Sequence, residues 1–299
     1  MDSGPPPQRL CSWPLYSELS ALASPPAAIC EFEDSELESE QLLCECDERS
    51  QPALVVNDDS HNVCAAMLGQ VQPTEFDLRF SAFGIPVRVH PGFWLISALM
   101  GRGALQNPDY GPTLLLIWIG CVFVSILVHE FGHALTADRF GWSPEVVLYY
   151  MGGYAAYMPT RGHTPRRSIL ISLAGPGAGF VLYGMVVLIE WVYLQYAVPN
   201  ILTLWAFGQL KWINLGWGLV NLLPVLPLDG GRVSEELCGL WRRRDGYELS
   251  VKIGMVIGGA VSLYFFVNHE SYGLWPGILF AFLCYNNYQM YESRHRGSW

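Results

Sequence analysis

Residues 113–128 read TLLLIWIGCVFVSILV, a run of sixteen residues without a charged side chain. As an α-helix this run measures about 24 Å, which is most of the roughly 30 Å hydrocarbon core of a bilayer. A helix satisfies its own backbone hydrogen bonds, so it is the form in which such a run can cross lipid. The sequence therefore predicts a membrane helix here, and this helix continues directly into HEFGH, residues 129–133.

Five further apolar segments accompany this run. The first begins near Val89, and the others lie near residues 169–197, 203–226, 249–267 and 273–288. The stretch before Val89 alternates like a short strand or a surface segment. With 51% hydrophobic and 15% charged residues, the composition also favours a membrane protein. We predict an all-α polytopic membrane protein with about six transmembrane helices, although the first, fifth and sixth segments are shorter than the roughly 20 residues that span a bilayer.

The basic residues predict how these helices are oriented. If all six segments cross and the N-terminus is cytosolic, fifteen of the 17 Lys and Arg residues fall on the cytosolic side. Arg102 falls on the opposite side, and Lys211 lies within the fourth segment, from which its side chain could reach outward. Cytoplasmic loops carry such an excess of positive charge. The sequence therefore predicts that both termini are cytosolic, in agreement with eight scattered cysteines that form no disulfide framework.

Residues 1–75 differ from the rest of the chain. They contain fourteen of the 27 acidic residues but only two basic ones, and they are rich in Pro and Ser. We predict a disordered cytosolic extension here and a membrane domain over residues 76–299. Cys44 and Cys46 form an isolated CxC, which we interpret as free thiols rather than a metal site. A basic footprint for nucleic acid is absent from the sequence, so no nucleic-acid partner is expected.

The HEFGH stretch has the spacing of a metal site. His129 and His133 are four residues apart, so on a helix they lie on one face and can hold one ion. Glu130 is placed to exchange a proton with a metal-bound water, as in the HExxH motif of zinc hydrolases. The alternative is a satisfied polar cluster in a helix bundle. The membrane location favours the functional interpretation, because ionisable groups are costly there.

A catalytic zinc site needs a third protein ligand, for which Asp229 is the candidate. It follows the fourth segment in the stretch NLLPVLPLDGGR, where Pro224 and Pro227 should break the helix. In the six-helix arrangement the second and fourth segments run in the same direction. His129, His133 and Asp229 are therefore expected at the same face of the membrane.

With HEFGH on one membrane helix and NLLPVLPLDGG on a later one, the sequence resembles the site-2 protease family of intramembrane zinc metalloproteases. The resemblance covers residues 82 to about 290. It implies that His129, His133 and Asp229 bind one Zn²⁺ per chain and that Glu130 is the catalytic base. It also implies that residues 76–299 are the metalloprotease domain. Because the loops between the apolar segments are too short for an inserted PDZ domain, we expect a compact form.

Three other stretches extend the resemblance. VVLYYMGGYAAYMP is similar to the family's short membrane-associated β-hairpin between the second and third helices, where Gly152 and Gly153 would bind an extended substrate. SLAGPGAGF is similar to a small-residue motif for close helix packing, but it has Gly179 where many members have Asn, which puts a polar role there in doubt. Asn221 matches a family Asn. It could donate to the substrate or the oxyanion, or form an interhelical bond without a catalytic part.

The resemblance implies regulated cleavage of transmembrane segments of membrane proteins, near the cytosolic leaflet of a bacterial cell membrane, with lipid as the surrounding medium. Two alternatives stay open: a non-proteolytic scaffold or pseudoprotease that binds membrane partners, and a metal transporter that uses the same ligands. His90 and His163 are expected at the membrane interface rather than at the metal.

Overall fold

The computed structural model describes residues 71–157, 163–242 and 245–296. The predicted extension, with Cys44 and Cys46, lies almost wholly outside these residues. Eight α-helices are found in the described part of the chain: α1 (Pro91–Met100), α2 (Gly111–Arg139), α3 (Pro165–Tyr196), α4 (Ile201–Asn221), α5 (Asp229–Trp241), α6 (Gly246–Val267), α7 (His269–Tyr272) and α8 (Trp275–Arg296). A 3₁₀ helix, Gly101–Gln106, continues α1.

Three of these helices, α2, α3 and α6, are long and apolar enough to cross a membrane, judged by length and composition. The predicted number of six crossings is therefore not confirmed. The first segment gives a ten-residue helix, too short to span alone, although α1 and the six-residue 3₁₀ helix together measure about 27 Å. Both pack along α2, where the Trp118 indole donates to the carbonyl of Ser97. The Lys211 side chain pairs with Glu190 of α3, and its reach toward the outer face stays a prediction.

The ends of α3 and α4 follow local sequence signals. Pro165 occupies the first turn of α3, and the Thr164 side chain accepts a hydrogen bond from the backbone N–H of Arg167. The Asn200 side chain caps α4 in the same way by accepting from Leu202. The chain then leaves the helix after Asn221, shortly before Pro224, which cannot continue it.

The all-α prediction is wrong in one respect, since the described residues also form a four-stranded sheet. Its strands are β1 (Leu78–Ala82), β2 (Ile85–Val89), β3 (Glu145–Tyr149) and β4 (Gly152–Ala156), in the order β1-β2-β3-β4. The outer pairs are antiparallel hairpins, while β2 and β3 are parallel. The predicted hairpin is thus confirmed, and it is extended by the alternating segment that precedes the first helix.

Burial of one face explains why the two hairpins join. Ile85, Val87 and Val89 alternate along β2 and are fully buried, together with Val146 and Leu148 of β3. This face packs against the second half of α2, through Ile126, Phe131 and Ala134. Residues on one face of a strand bury together only if the register is kept. The sheet therefore lies beside the part of α2 that contains HEFGH.

Candidate metal centre

The side chains of His129, His133 and Asp229 converge on one point, which we call the metal point. The two histidine Nε2 atoms are 3.2 Å apart, and Asp229 Oδ2 lies 3.1 Å from His129 Nε2 and 3.3 Å from His133 Nε2. Both histidines are buried, and the Asp229 side chain is 13% exposed. In the described part of the chain, this is the one group of three His, Cys, Asp or Glu side chains close enough to share an ion.

These separations match the requirements of zinc. A tetrahedral ion with bonds of about 2.0–2.1 Å holds its ligand atoms about 3.3–3.4 Å apart. The three distances of 3.1, 3.2 and 3.3 Å are close to that spacing. Two imidazoles and one carboxylate also form a common ligand set of catalytic zinc. The residues present therefore fit the metal that the sequence predicts.

A backbone carbonyl fixes the orientation of the His133 ring. Its Nδ1 lies 2.7 Å from the carbonyl oxygen of Ile171 on α3. Because a carbonyl can only accept, Nδ1 carries the proton and donates it, which leaves the Nε2 lone pair available to a metal. The α2 and α3 backbones must be close for this contact. At Gly132, an added Cβ would lie only 2.3 Å from the carbonyl oxygen of Ala174.

Gly175 makes room for the same ring. A Cβ at this position would be 2.1 Å from His133 Nε2, the atom that faces the metal point. We therefore expect Gly175→Ala to weaken Zn²⁺ binding by about 10–100-fold, the range seen when the support of a ligand is disturbed. The dissociation constant, measured by competition with a chelator, checks this expectation.

Gly177→Ala on the same helix is the matched control. An added Cβ there meets nothing within 4 Å, so zinc affinity should stay at the wild-type value. If the two alanine variants bound zinc equally well, the close contact between α3 and His133 would not control the site.

Asp229 lies beyond the break after the fourth helix, as the sequence predicts, and is the first residue of α5. The chain leaves α4 at Asn221 and folds back through residues 222–228, which we call the 222–228 turn. Two glycines permit this close approach. A Cβ at Gly230 would be 2.1 Å from the carbonyl oxygen of Leu222, and one at Gly231 would be 2.5 Å from the carbonyl carbon of Val225. The two glycines after Asp229 are thus required by the turn that brings the Asp229 carboxylate to the two histidines.

Glu130 lies in the same cavity as the three ligands. The cavity has a volume of about 150 Å³ and is also lined by Gly153, Tyr149, Tyr157, Asn221 and Arg232. The Glu130 side chain is buried against β4, where a Cβ at Gly153 would be 2.7 Å from its Cγ. Gly153 therefore lets the carboxylate lie between the edge strand and the metal point.

Three side chains at this cavity were not found by reading the sequence. Burial raises the pKa of Tyr149 to about 12, so its hydroxyl stays neutral and can donate a hydrogen bond. Burial also raises the pKa of Tyr157, against the effect of Arg232, whose side chain hydrogen bonds to it. Arg232 lies one turn after Asp229 on α5 and brings a positive charge to the cavity. In the sequence, the signal that could have identified Arg232 was its position three residues after Asp229, in the stretch DGGR.

Asn221 lines the cavity, whereas Gly152 does not. The Asn221 side chain is buried and donates to the carbonyl of Trp217, one turn earlier in α4. Its predicted part in substrate binding stays a prediction. Gly152 has a φ of +123°, which favours glycine, and an added Cβ would touch the Trp217 ring at 3.4 Å. Gly152 therefore shapes the turn into β4, while Gly153 borders the cavity.

The two other histidines considered from the sequence lie away from the metal point. His90 Nδ1 accepts from the backbone N–H of Gly92 and caps α1. The His163 ring stacks on Trp142 and lies 3.9 Å from Glu236. Neither belongs to the three-residue group, as predicted.

Gly179, where the resemblance left a polar role in doubt, faces a polar group on another helix. A Cβ at Gly179 would lie 3.7 Å from Asn214 Oδ1 on α4. Asn214 is buried and donates to Ser125 Oγ, one turn before His129 on α2. An amide is therefore present beside position 179, contributed by α4 rather than by α3.

Comparisons with known proteins agree with this architecture. The sequence profile of peptidase family M50 matches residues 117–200 and 182–265. A zinc metalloprotease of Methanocaldococcus jannaschii is 30% identical over 62% of this chain and 51% of its own length. The stage IV sporulation protein FB of Bacillus subtilis is 27% identical over 71% of this chain and 68% of its own length.

A solved structure extends the likeness to the fold. The site-2 protease from Methanocaldococcus jannaschii superposes with a TM-score of 0.50 and 25% identity, over 72% of this chain and 95% of that one. The chain spans about half the length of the first curated relatives it matches, 51% and 48%. The profile, the relatives and the fold agree, and the chain belongs to peptidase family M50, the site-2 protease family.

Proposed function

We propose that this chain is a zinc-dependent intramembrane endopeptidase that cleaves transmembrane segments of membrane proteins near the cytosolic leaflet. The observation that supports this most strongly is the convergence of His129, His133 and Asp229 within 3.3 Å, with Glu130 in the same cavity. The names of the curated relatives agree, since one is a zinc metalloprotease.

His129, His133 and Asp229 would hold one zinc ion per chain through two Nε2 atoms and one carboxylate oxygen. When bound, zinc supplies a Lewis acid that polarises a carbonyl and makes water more acidic. The orientation of His133 depends on its bond to the Ile171 carbonyl, and that of Asp229 on the start of α5. The protein contributes a fixed ligand geometry at the end of an apolar run.

Glu130 would act as the general base and then as the general acid. Its carboxylate would take a proton from the attacking water and pass it to the nitrogen of the leaving peptide, so that one peptide bond and one water give a carboxylate and an amine. The buried carboxylate is held between β4 and the ligand pair, a position that would be next to both reactants. The neutral Tyr149 hydroxyl and the Arg232 guanidinium are the nearby groups that could bind the substrate's oxygen atoms.

The substrate would bind as an extended strand along β4. This strand ends the described sheet, so one edge of Gly152–Ala156 is available for backbone pairing. A transmembrane helix must unwind before its carbonyls can be attacked, and pairing with a strand edge stabilises the extended form. Gly153 lies at the cavity on the same strand, which brings the paired backbone beside Glu130. Asn221 also lines the cavity and is a further candidate for binding the substrate.

The proposed orientation in the membrane places both termini in the cytosol, with six crossings. His129 lies eighteen residues after the start of α2, about 27 Å along the helix. The 3₁₀ helix lets the first segment cover the same distance beside α2. The charge distribution supports the cytosolic placement of the site. A bacterial cell membrane is proposed because the relatives include a Bacillus subtilis protein.

Zinc-dependent cleavage of a reporter tests this proposal. The purified chain would be reconstituted in liposomes with a single-span reporter whose cytosolic half contains Gly and Pro, and the products would be sized by mass spectrometry. Cleavage should stop when a chelator removes zinc and resume when Zn²⁺ is restored. A reporter with an uninterrupted Leu helix is the control and should be cut slowly, because it resists unwinding.

Cleavage that continues without zinc would contradict the proposal. A reporter that binds the zinc-loaded protein but is never cut would instead indicate a scaffold. Zinc that accumulates inside the liposomes without cleavage would indicate a transporter.

A further inference from the structure

Asn287 is a fully buried amide outside the set of residues considered so far. It lies on α8 with 0% of its surface exposed. Its Nδ2 donates to the carbonyl oxygen of Leu226 at 2.7 Å and to that of Leu283 at 2.8 Å. The second bond stays within α8, whereas the first crosses to the 222–228 turn. One side-chain amide thus links the last long helix to the segment that precedes Asp229.

The Leu226 carbonyl depends on a donor from elsewhere in the fold. Leu226 itself is 1% exposed, so water does not surround it. Two of the residues in the turn, Pro224 and Pro227, have no N–H to offer. A buried carbonyl without a donor is strongly unfavourable, and nearly all such groups are paired in folded proteins. The bond from Asn287 is therefore a requirement of the turn in its present form.

The surrounding packing fixes where the Asn287 amide can lie. Gly254 of α6 faces it, and a Cβ there would be 2.4 Å from Asn287 Oδ1. Leu226 packs with Val251 of α6 and Met290 of α8. The amide is therefore held between two long helices, and it holds the turn in the same place.

We propose that Asn287 is a positioning residue for Asp229. Leu226 precedes Asp229 by three residues, so a shift of its carbonyl moves the first turn of α5. The Asp229 carboxylate has little freedom to move, because it must stay 3.1–3.3 Å from both histidine Nε2 atoms. This inference rests on the proposed function, since it assigns to α8 the support of the third zinc ligand. Asn287 itself touches neither the metal point nor the cavity.

A purely structural role for Asn287 would be to anchor α8 to the rest of the fold. A second buried hydrogen bond of α8 separates this role from the positioning of Asp229. Ser262 of α6 donates to the carbonyl of Gly277 on α8 at 2.8 Å. It also anchors α8 through a buried hydrogen bond, but neither of the bonded residues belongs to the 222–228 turn. Loss of either bond should loosen α8 from its neighbours, but only loss of the Asn287 bond should disturb Asp229.

The test compares the zinc dissociation constants of Asn287→Leu and Ser262→Ala in the full chain, reconstituted in nanodiscs. We expect Asn287→Leu to bind zinc about 10–100-fold more weakly than the wild type, the range for lost support of a ligand. Ser262→Ala should keep the wild-type affinity. Thermal unfolding of both variants without zinc should show similar midpoints, which establishes that the difference lies in the site.

A second pair covers the case in which Asn287→Leu does not fold. Gly254→Ala should displace the amide, because its Cβ would be 2.4 Å from Oδ1, and should weaken zinc binding in the same direction. Gly259→Ala on the same helix meets only Cys284 Sγ, at 3.7 Å, and should be neutral.

Equal zinc affinities within each pair would overturn the positioning role, while zinc binding and cleavage by the wild type would leave the proposed function intact. A wild-type protein that binds no zinc would overturn the proposed function itself. The two failures are therefore distinguishable in one series of measurements.

Discussion

Glu130→Gln is expected to reduce cleavage of a membrane reporter by about 10²–10⁴-fold while zinc stays bound, the range that a positioned general acid–base contributes. The amide keeps the size of the carboxylate but cannot accept and release the proton. The three residues that would hold zinc are unchanged in this variant. Cleavage rate and zinc content, measured on the same preparation, check both parts of the expectation.

Asp138→Asn is the control for this variant. It makes the same chemical change on the same helix, but Asp138 is exposed and outside the cavity. Its cleavage rate should equal that of the wild type. If Glu130→Gln still cut the reporter at the wild-type rate, the assignment of the base would be wrong, and a scaffold or transporter would become the better interpretation.

Asp229→Ala should have the second large effect, on the metal itself. It removes one of three converging ligand atoms and leaves two histidine nitrogens 3.2 Å apart. We expect zinc affinity to fall by more than the roughly 100-fold upper range for outer-shell changes, and cleavage to be lost with it. Competition with a chelator, followed by the cleavage assay at saturating Zn²⁺, measures both.

Glu235→Ala is the matched change on α5. This carboxylate is on the same helix but does not line the cavity. Zinc affinity should be unchanged in that variant. Should Asp229→Ala retain wild-type affinity, the third ligand must be another group, and the folding of the 222–228 turn would need a different explanation.

The pair of histidines and Glu130 could be predicted from the sequence because helical geometry alone relates them. A spacing of four residues places His129 and His133 on one face wherever a helix forms. Asp229 required one more step, since its position follows from the direction of two helices rather than from local spacing. Pro224 and Pro227 signalled the break after α4, but the start of a new helix at Asp229 was not predicted.

Other parts of the site could not be predicted, because they depend on contacts between distant residues. Gly175 was noted as a small residue for helix packing, but the sequence does not say that His133 occupies the space it leaves. Asn287 is 61 residues from its partner Leu226. Nothing in the sequence around Asn287 signals this contact, which requires the packing of α8 against the 222–228 turn.

The sheet and the short first helix show two further limits of local patterns. Alternation indicated a strand before Val89, but pairing of β2 with β3 joins segments separated by two helices. Hydropathy likewise identified an apolar segment after Val89 without indicating that a 3₁₀ helix would continue α1. Strand pairing and helix type are set by tertiary contacts with α2. Local patterns could therefore locate the strand and helix segments, but not the segments with which they pair or pack.

The parallel pairing of β2 with β3 also constrains how the chain is threaded through a bilayer. Val87 pairs with Val146 and Val89 with Leu148, and hydrogen-bonded strands cannot be separated by a membrane. Residues 90–144 must therefore begin and end on the same side of the bilayer, so the number of times that they cross it is even. This parity does not depend on the hydropathy of α1 or on the distribution of charge. In this protein, hydrogen bonds between two strands thus restrict the number of crossings of one segment to even values, which composition alone does not do.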